Sequence, residues 1–220
     1  MRNVLNRSTM SDPTPKLRRL DSNYFQHSVP SISLDYYDPD SHGKDDFSRK
    51  QVWFYVYGDE ELEEEFKKRM TNIFEEIIME GDVDWDVLAL YPTHSEGGLN
   101  SNMRDLFMDI ASESGIRFNQ VLERTESVEQ NHELTDEKAK VVNLEGSLKV
   151  KEDLEGKNIL LVDNIVLSGV SMLHGANKLK EHGADKVLAV SLGTDKKKKE
   201  QTREIGDEFK TSEIFSKGEG

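Results

Sequence analysis

The distribution of apolar and polar positions divides the chain into an irregular beginning, a periodic middle and a polar end. Residues 1 to about 50 mix Ser, Asp, Pro, Asn and charge without a sustained period, which predicts a flexible or loosely docked N-terminal extension. The periodic part is 51–194. Val52 to Tyr57 is an aromatic and β-branched run closed by Gly58, the pattern of a buried strand. Leu62, Phe66, Met70, Ile73, Phe74, Ile77 and Ile78 then share one helical stripe with acids opposite, and Gly81 supplies a stop.

Val87 to Tyr91 predicts a second strand, closed by Pro92 and followed by the polar loop Thr93 to Gly98. Met103, Leu106, Phe107 and Ile110 mark a helix ended by Gly115. Ile116 to Leu122 reads as a third strand, Arg124 to Lys140 as a long polar segment and Val141 to Val150 as extended chain. Asn158 to Val162 is another buried strand, Ser168 to His182 a helix stopped by Gly183, and Val187 to Ser191 the last clear strand. Strands alternating with helices predict an α/β fold with a mostly parallel sheet flanked by helices. From Asp195 to the end, 195–220, a polar C-terminal tail is expected, opening with Lys196 to Lys199.

Composition narrows the function classes. A chain of 220 residues accommodates one core, and 35% hydrophobic residues suffice for it. Asp and Glu number 43 against 29 Lys and Arg, and residues 59–86 alone hold twelve acids and three bases. Such a surface repels phosphate backbones, which disfavours nucleic acid as a partner. Cysteine is absent, so disulfides, thiolate catalysis and Cys-based zinc sites are excluded; a reducing compartment is compatible with this, and the expected location is cytoplasmic. The longest apolar run, Val52 to Tyr57, is far below the roughly 20 residues that span a bilayer, so no membrane span is expected.

In open parallel sheets ligands bind beyond the carboxyl ends of the strands, which directs attention to the loops leaving Tyr91 and Val162. The second reads Asp163-Asn164-Ile165-Val166-Leu167-Ser168-Gly169-Val170-Ser171. Backbone N–H groups at the start of a helix, with the hydroxyls of Ser168 and Ser171 and with Gly169 permitting close approach, form an anion cradle suited to a monoester phosphate. Asp163 and Asn164, a few residues earlier, are placed to accept hydrogen bonds from sugar hydroxyls. Phosphate and diol together point to a ribose 5-phosphate; an ordinary strand-to-helix turn with a serine cap is the plainer reading of the same residues. Neither a G-x-G-x-x-G nor a G-x-x-x-x-G-K-[ST] sequence occurs, which disfavours dinucleotide and P-loop binding.

This segment resembles the phosphoribosyl pyrophosphate (PRPP) loop of the type I phosphoribosyltransferases: four hydrophobic residues, two acids, two aliphatics and a Thr/Ser-Gly turn. Upstream, Arg124, Gln130, Leu134, Lys140 and Asn143-Leu144-Glu145-Gly146-Ser147-Leu148 are similar to the approach to that loop in the ComF-like branch, with Lys140 in place of the usual Arg. The resemblance implies the phosphoribosyltransferase type I fold over about residues 85–192, and a transferase that displaces pyrophosphate from PRPP with Mg2+. By the same resemblance, Asp163 and Asn164 hold ribose and metal, with Asp163 the protein's metal contact. Ser168, Gly169, Val170 and Ser171 bind the 5-phosphate. Thr93, His94 and Ser95 open the pyrophosphate loop, and Arg124, Lys138 and Lys140 neutralise the leaving group from a mobile loop, although solvated charge is the plainer reading of all three bases. A nucleoside monophosphate is the implied product, and a homodimer is left open. Asn164 stands where the family has its second acid, and Leu167 stands where purine-salvage members carry an Asp, which argues against a 6-oxopurine acceptor. A catalytically weak PRPP- or nucleotide-sensing regulatory protein is therefore the alternative expectation.

Overall fold

The computed structural model describes residues 14–41, 46–75, 83–205 and 215. A seven-stranded sheet forms its centre, in the spatial order β4-β3-β7-β8-β2-β1-β9. Five neighbouring strands run parallel: β4 (Arg117–Phe118), β3 (Val87–Leu90), β7 (Asn158–Val166), β8 (Lys186–Asp195) and β2 (Val29–Tyr37). β1 (Lys16–Leu20) and β9 (Thr202–Glu204) complete one edge in antiparallel pairing. β5 (Leu122–Arg124) and β6 (Leu148–Val150) form a separate antiparallel pair. The expected α/β class with a mostly parallel sheet is thus observed.

Helices cover both faces. α1 (Phe47–Tyr57), α2 (Glu60–Ile73) and α3 (Ser101–Ser114) bury Phe54, Phe66, Met70, Leu106 and Phe107 against Ile32, Leu34, Leu88, Leu160, Val162 and Val190. On the other face α5 (Val170–Glu181) packs Met172, Leu173, Ala176 and Leu179 against Ala89, Leu161 and Ala189. The short α4 (Glu137–Leu144) lies beside α5. Among the described residues no helix is long and apolar enough to cross a membrane.

The expected strand Val52–Tyr57 is instead the second half of α1. Its start is capped by Asp46, whose carboxylate accepts from Ser48 N at 2.8 Å, and Gly58 ends it in the left-handed conformation at φ 68. Ser48, Gln51 and Phe54 are buried three residues apart, while Val52, Trp53, Val56 and Tyr57 are exposed. The strand propensity of the run is overridden because only one helical face has anything to pack on.

The N-terminal segment differs most from expectation. Residues 16–37 are two strands of the central sheet, with β2 between β8 and β1 and its first six residues buried. Ser31-Ile32-Ser33-Leu34 alternates as a strand should. Pro30, which has no N–H, precedes the first residue paired with β8 and faces only Arg19 of β1. Residues 1–13 of the expected extension lie outside the described residues. At the other end, the expected tail begins with a 3-10 helix, Lys196–Gln201, and β9 pairs with β1 before the buried Ile205.

Smaller differences follow the same pattern. α2 begins at its Asp59 cap as the stripe requires, but Ile77, Ile78 and Gly81 lie outside the described residues. The strand expected over 116–122 is paired with β3 at Arg117 and Phe118 and then only at Leu122, which opens β5, and Val141 to Leu144, expected to be extended, complete α4. β7 and β8 each run four residues past the expected ends, carrying Asp163 and Asn164 inside the ladder.

Candidate functional site

The carboxyl end of β3 lies beside β7, with Leu90 in register with Val162 and Tyr91 N donating to Val162 O at 2.8 Å, and β7 continues to Val166. The two loops singled out in the sequence therefore leave adjacent strands at the same edge. Asp163 lies at that edge, half-buried, its Oδ1 accepting from Asn164 N at 2.8 Å. Burial pushes its pKa up to about 7, against the Asn164 N–H and the charge of Arg124. Asn164 is held by the backbone: its Oδ1 accepts from Ile165 N at 2.8 Å and its carbonyl accepts from the buried Gln51 of α1.

Beyond β7 the chain turns at Leu167-Ser168-Gly169 into α5. Gly169 has φ 90, a conformation that side chains rarely adopt, and a Cβ there would lie 3.0 Å from Leu20 Cδ2 and 3.1 Å from Arg18 Nη2. Gly169 is thus required by the approach of β1, whereas the sequence reading tied it to the approach of a ligand. Ser168 is exposed, Val170 is buried, and Ser171 Oγ accepts from Asn131 Nδ2 at 3.1 Å. Gly175, one turn further, admits the Tyr91 ring, whose Cε2 would lie 2.8 Å from a Cβ.

The first loop, Thr93 to Gly98, folds on itself through Thr93 N to Gly98 O at 3.0 Å and Gly98 N to Ser95 O at 2.9 Å. Gly97 N donates to Arg124 O, and His94 O accepts from Val128 N, each at 2.9 Å. His94 and Ser95 are exposed and Thr93 is half-buried. Arg124 itself belongs to β5 and is only 2% exposed, which removes it from the mobile segment where the resemblance placed it. Its Nε donates to Thr93 O at 3.0 Å, its Nη2 to Tyr91 Oη at 3.2 Å and its Nη1 to Ser147 Oγ, while its guanidinium stands 5.5 Å from the Tyr91 ring centre. No carboxylate lies within the 4.0 Å of an ion pair among the described residues. Taking such a charge out of water costs on the order of several kcal/mol, so the arrangement favours an anion at the loop above it.

Residues 125–136 close over both loops. Glu96 N donates to Ser127 Oγ at 3.0 Å, and Asn143 Nδ2 holds Glu129 O and Asn131 Oδ1, each at 2.9 Å. Lys140 lies on α4, half-buried, and none of these hydrogen bonds includes it; Lys138 is exposed on the same helix. The site thus joins Asp163, Asn164, Arg124, Thr93 and Ser171, and leaves Lys140 aside.

Five participants were missed in the sequence. Tyr91 bridges Arg124 and Ser171, and burial raises its pKa against the pull of Arg124. Tyr55 is pushed up to about 12 by burial and by the neighbouring charge of Asp163. Asn100 and Asn102, at the start of α3, donate to the Tyr55 carbonyl at 3.0 and 3.1 Å and so fix the end of α1. Gln51 and Tyr55 were invisible because their segment read as a strand; Tyr91 was legible as the polar-tipped aromatic at a strand end.

No protein-family model matches the chain, and no curated protein sequence does. Solved structures similar to it include the allosteric regulatory enzyme of purine biosynthesis, at 17% identity and TM-score 0.40, covering 60% of this chain and 26% of that one. An alanine mutant of an invariant aspartic acid in HPRTs is 14% identical, at TM-score 0.42, over 61% of this chain and 70% of the other. A mutant hypoxanthine phosphoribosyltransferase from Trypanosoma cruzi, complexed with the product IMP, is 13% identical at TM-score 0.39, over 59% and 63%. The match spans about a quarter of the first of these proteins. A likeness at this level identifies no activity.

Proposed function

We propose that the chain binds PRPP and transfers its 5-phosphoribosyl group to a base or amine, releasing pyrophosphate. The observation that carries this reading is the buried, carboxylate-free cation Arg124, which is tied to the loop Thr93–Gly98 beside the Asp163 edge of β7. The N–H groups at the start of α5 with Ser168 and Ser171 would bind the 5-phosphate. Asp163 would accept hydrogen bonds from the ribose diol, and Thr93 to Gly98 would hold pyrophosphate. Arg124, whose N–H groups are engaged from beneath, acts there through its potential. At about 5 Å and an effective dielectric near 20, that is about 3 kcal/mol toward a leaving charge.

Magnesium fits these residues only as an ion borne by the ligand. No group of three or more acidic or imidazole side chains could hold it among the described residues, and Asp163 would be the one carboxylate contact. When bound it would neutralise pyrophosphate charge. The chain's own contribution is position and potential: the bond from ribose C1 to pyrophosphate breaks as the acceptor closes on C1, and pyrophosphate leaves with the electron pair.

A second reading, a PRPP- or nucleotide-sensing protein with little turnover, is favoured by Asn164, whose amide oxygen is committed to Ile165 N where the resemblance calls for an acid. Calorimetry with PRPP and Mg2+ tests the binding that both readings share. At a hundredfold excess over Kd the native state should gain about 2.7 kcal/mol, and unchanged melting at millimolar PRPP would discard both. Pyrophosphate release with a panel of bases and amines then separates them. Asn164→Asp should raise turnover about tenfold if the missing acid limits the rate, since about 1.4 kcal/mol of barrier suffices. A variant that binds PRPP more weakly and gains no turnover would instead make the amide part of the ligand contact.

A further inference from the structure

The Leu167-Ser168-Gly169 turn is braced from below by a strand with no place in the resemblance. Arg18 of β1 is 4% exposed, and its Nη1 and Nη2 both donate to the Leu167 carbonyl, each at 3.1 Å. Nη1 also reaches Thr194 Oγ1 at 3.4 Å, and Leu20, two residues on, packs under Gly169. Asp195 and Asp21 oppose the effect of burial, which lowers the Arg18 pKa. The loop therefore rests on a buried, forked cation.

Peptide geometry gives this contact a consequence. In a trans peptide the carbonyl of one residue and the N–H of the next point in opposite directions. Holding the Leu167 carbonyl inward, onto Arg18, turns the Ser168 N–H outward, toward the exposed side of the turn where Ser168 lies. Gly169 belongs to the same frame: its φ of 90 disfavours any side chain, and a Cβ there would meet Leu20 and Arg18. A positive charge directly behind the turn also favours a dianion in front of it.

We propose that Arg18 is a positioning residue of the phosphate-binding turn: it fixes the Leu167–Ser168 peptide so that the turn presents its N–H groups to a monoester phosphate. This inference rests on the proposed role of that turn. It assigns to the N-terminal strand a direct part in ligand recognition, through the loop and without touching the ligand.

Arg18→Gln and Arg18→Lys test it, with ribose 5-phosphate and magnesium pyrophosphate as separate probes in titration calorimetry and with amide hydrogen exchange on the ligand-free protein. Lys keeps the charge but cannot fork two N–H groups onto one carbonyl. Both variants should lose about tenfold or more in affinity for ribose 5-phosphate, keep their affinity for pyrophosphate within about twofold, and exchange the Ser168 amide faster than wild type. Unchanged ribose 5-phosphate binding in both variants would overturn the proposal, as would a parallel loss for both probes that tracks the melting temperature. If Gln prevents folding, the Lys variant carries the same comparison. If wild-type protein binds no ribose 5-phosphate but the variants still speed Ser168 exchange, the brace stands and the phosphate reading of the turn falls. If neither is seen, both fall.

Discussion

Asp163 and Gly169 concentrate the chemistry of the site at single positions. Folding raises the Asp163 pKa from the ordinary carboxylate value to about 7, so between about pH 4 and 7 the native state holds a proton that the unfolded chain releases. Stability therefore falls as pH rises through that window, by on the order of 2 to 4 kcal/mol in all. Asp163→Asn should flatten that slope, and denaturant titrations of both proteins at pH 5 and pH 8 would show it as a gain for the variant only at the higher pH. Ligand binding should run the other way, since the ionised form is the better acceptor for ribose hydroxyls: wild-type affinity for ribose 5-phosphate should improve from pH 6 to 8. Gly169→Ala meets strained backbone and the side chains of Leu20 and Arg18, and should cost about 1 to 3 kcal/mol. Gly97→Ala shares the positive φ but has nothing within 4 Å, so about 1 kcal/mol is expected, and equal losses would refute the contact with β1.

At the scale of elements, β2 and α1 exchange the roles their residues advertise. Ile32 sits in the core at 0% exposure in a segment rich in Ser and Asp, whereas Trp53 is 52% exposed in the most strand-like run of the chain. Ile32→Ala should therefore destabilise by about 2 to 4 kcal/mol, while Val52→Ala should stay within about 0.5 kcal/mol. Urea unfolding of the pair is decisive: a large loss at Val52 with none at Ile32 would restore the run as a core strand. The exchange matters for the site, because α1 delivers Gln51 to Asn164 and Tyr55 to the neighbourhood of Asp163, and β1 delivers Arg18 to the turn.

Across the whole molecule, a formal charge of −14 surrounds a site built on two buried arginines. The acids concentrate on α2, where Glu60, Glu61 and Glu63 suit the helix start but repel one another and their neighbours; Asp109 and Asp105 help burial raise the Glu63 pKa. Lys67 offsets part of this through Asp109 and Glu113 on α3, at 2.9 and 3.0 Å. Screening should relieve the remaining repulsion, so raising salt from about 0.05 M to about 0.5 M at pH 7 should raise the melting temperature. A fall would mean that the surface ion pairs outweigh the excess of acids.

Local rules reached far in the middle of the chain. β3, α3, β7, α5 and β8 follow from period, caps and glycine stops, because each buries a continuous apolar face that its own residues announce. The polar order from Asp163 to Ser171 likewise marked the edge where the site lies. Tertiary structure decided the rest. β1 and β2 are strands because β8 offers them a partner, and the aromatic run of α1 is helical because only Ser48, Gln51 and Phe54 have a surface to meet. Arg124 is a buried brace because β5 pairs with β6 across a gap of more than twenty residues, a contact no local pattern encodes. Gly169 is needed for a neighbour fixed by pairing near the start of the chain, since hydrogen-bonded ladders join segments by geometry and leave no periodic trace in either one alone.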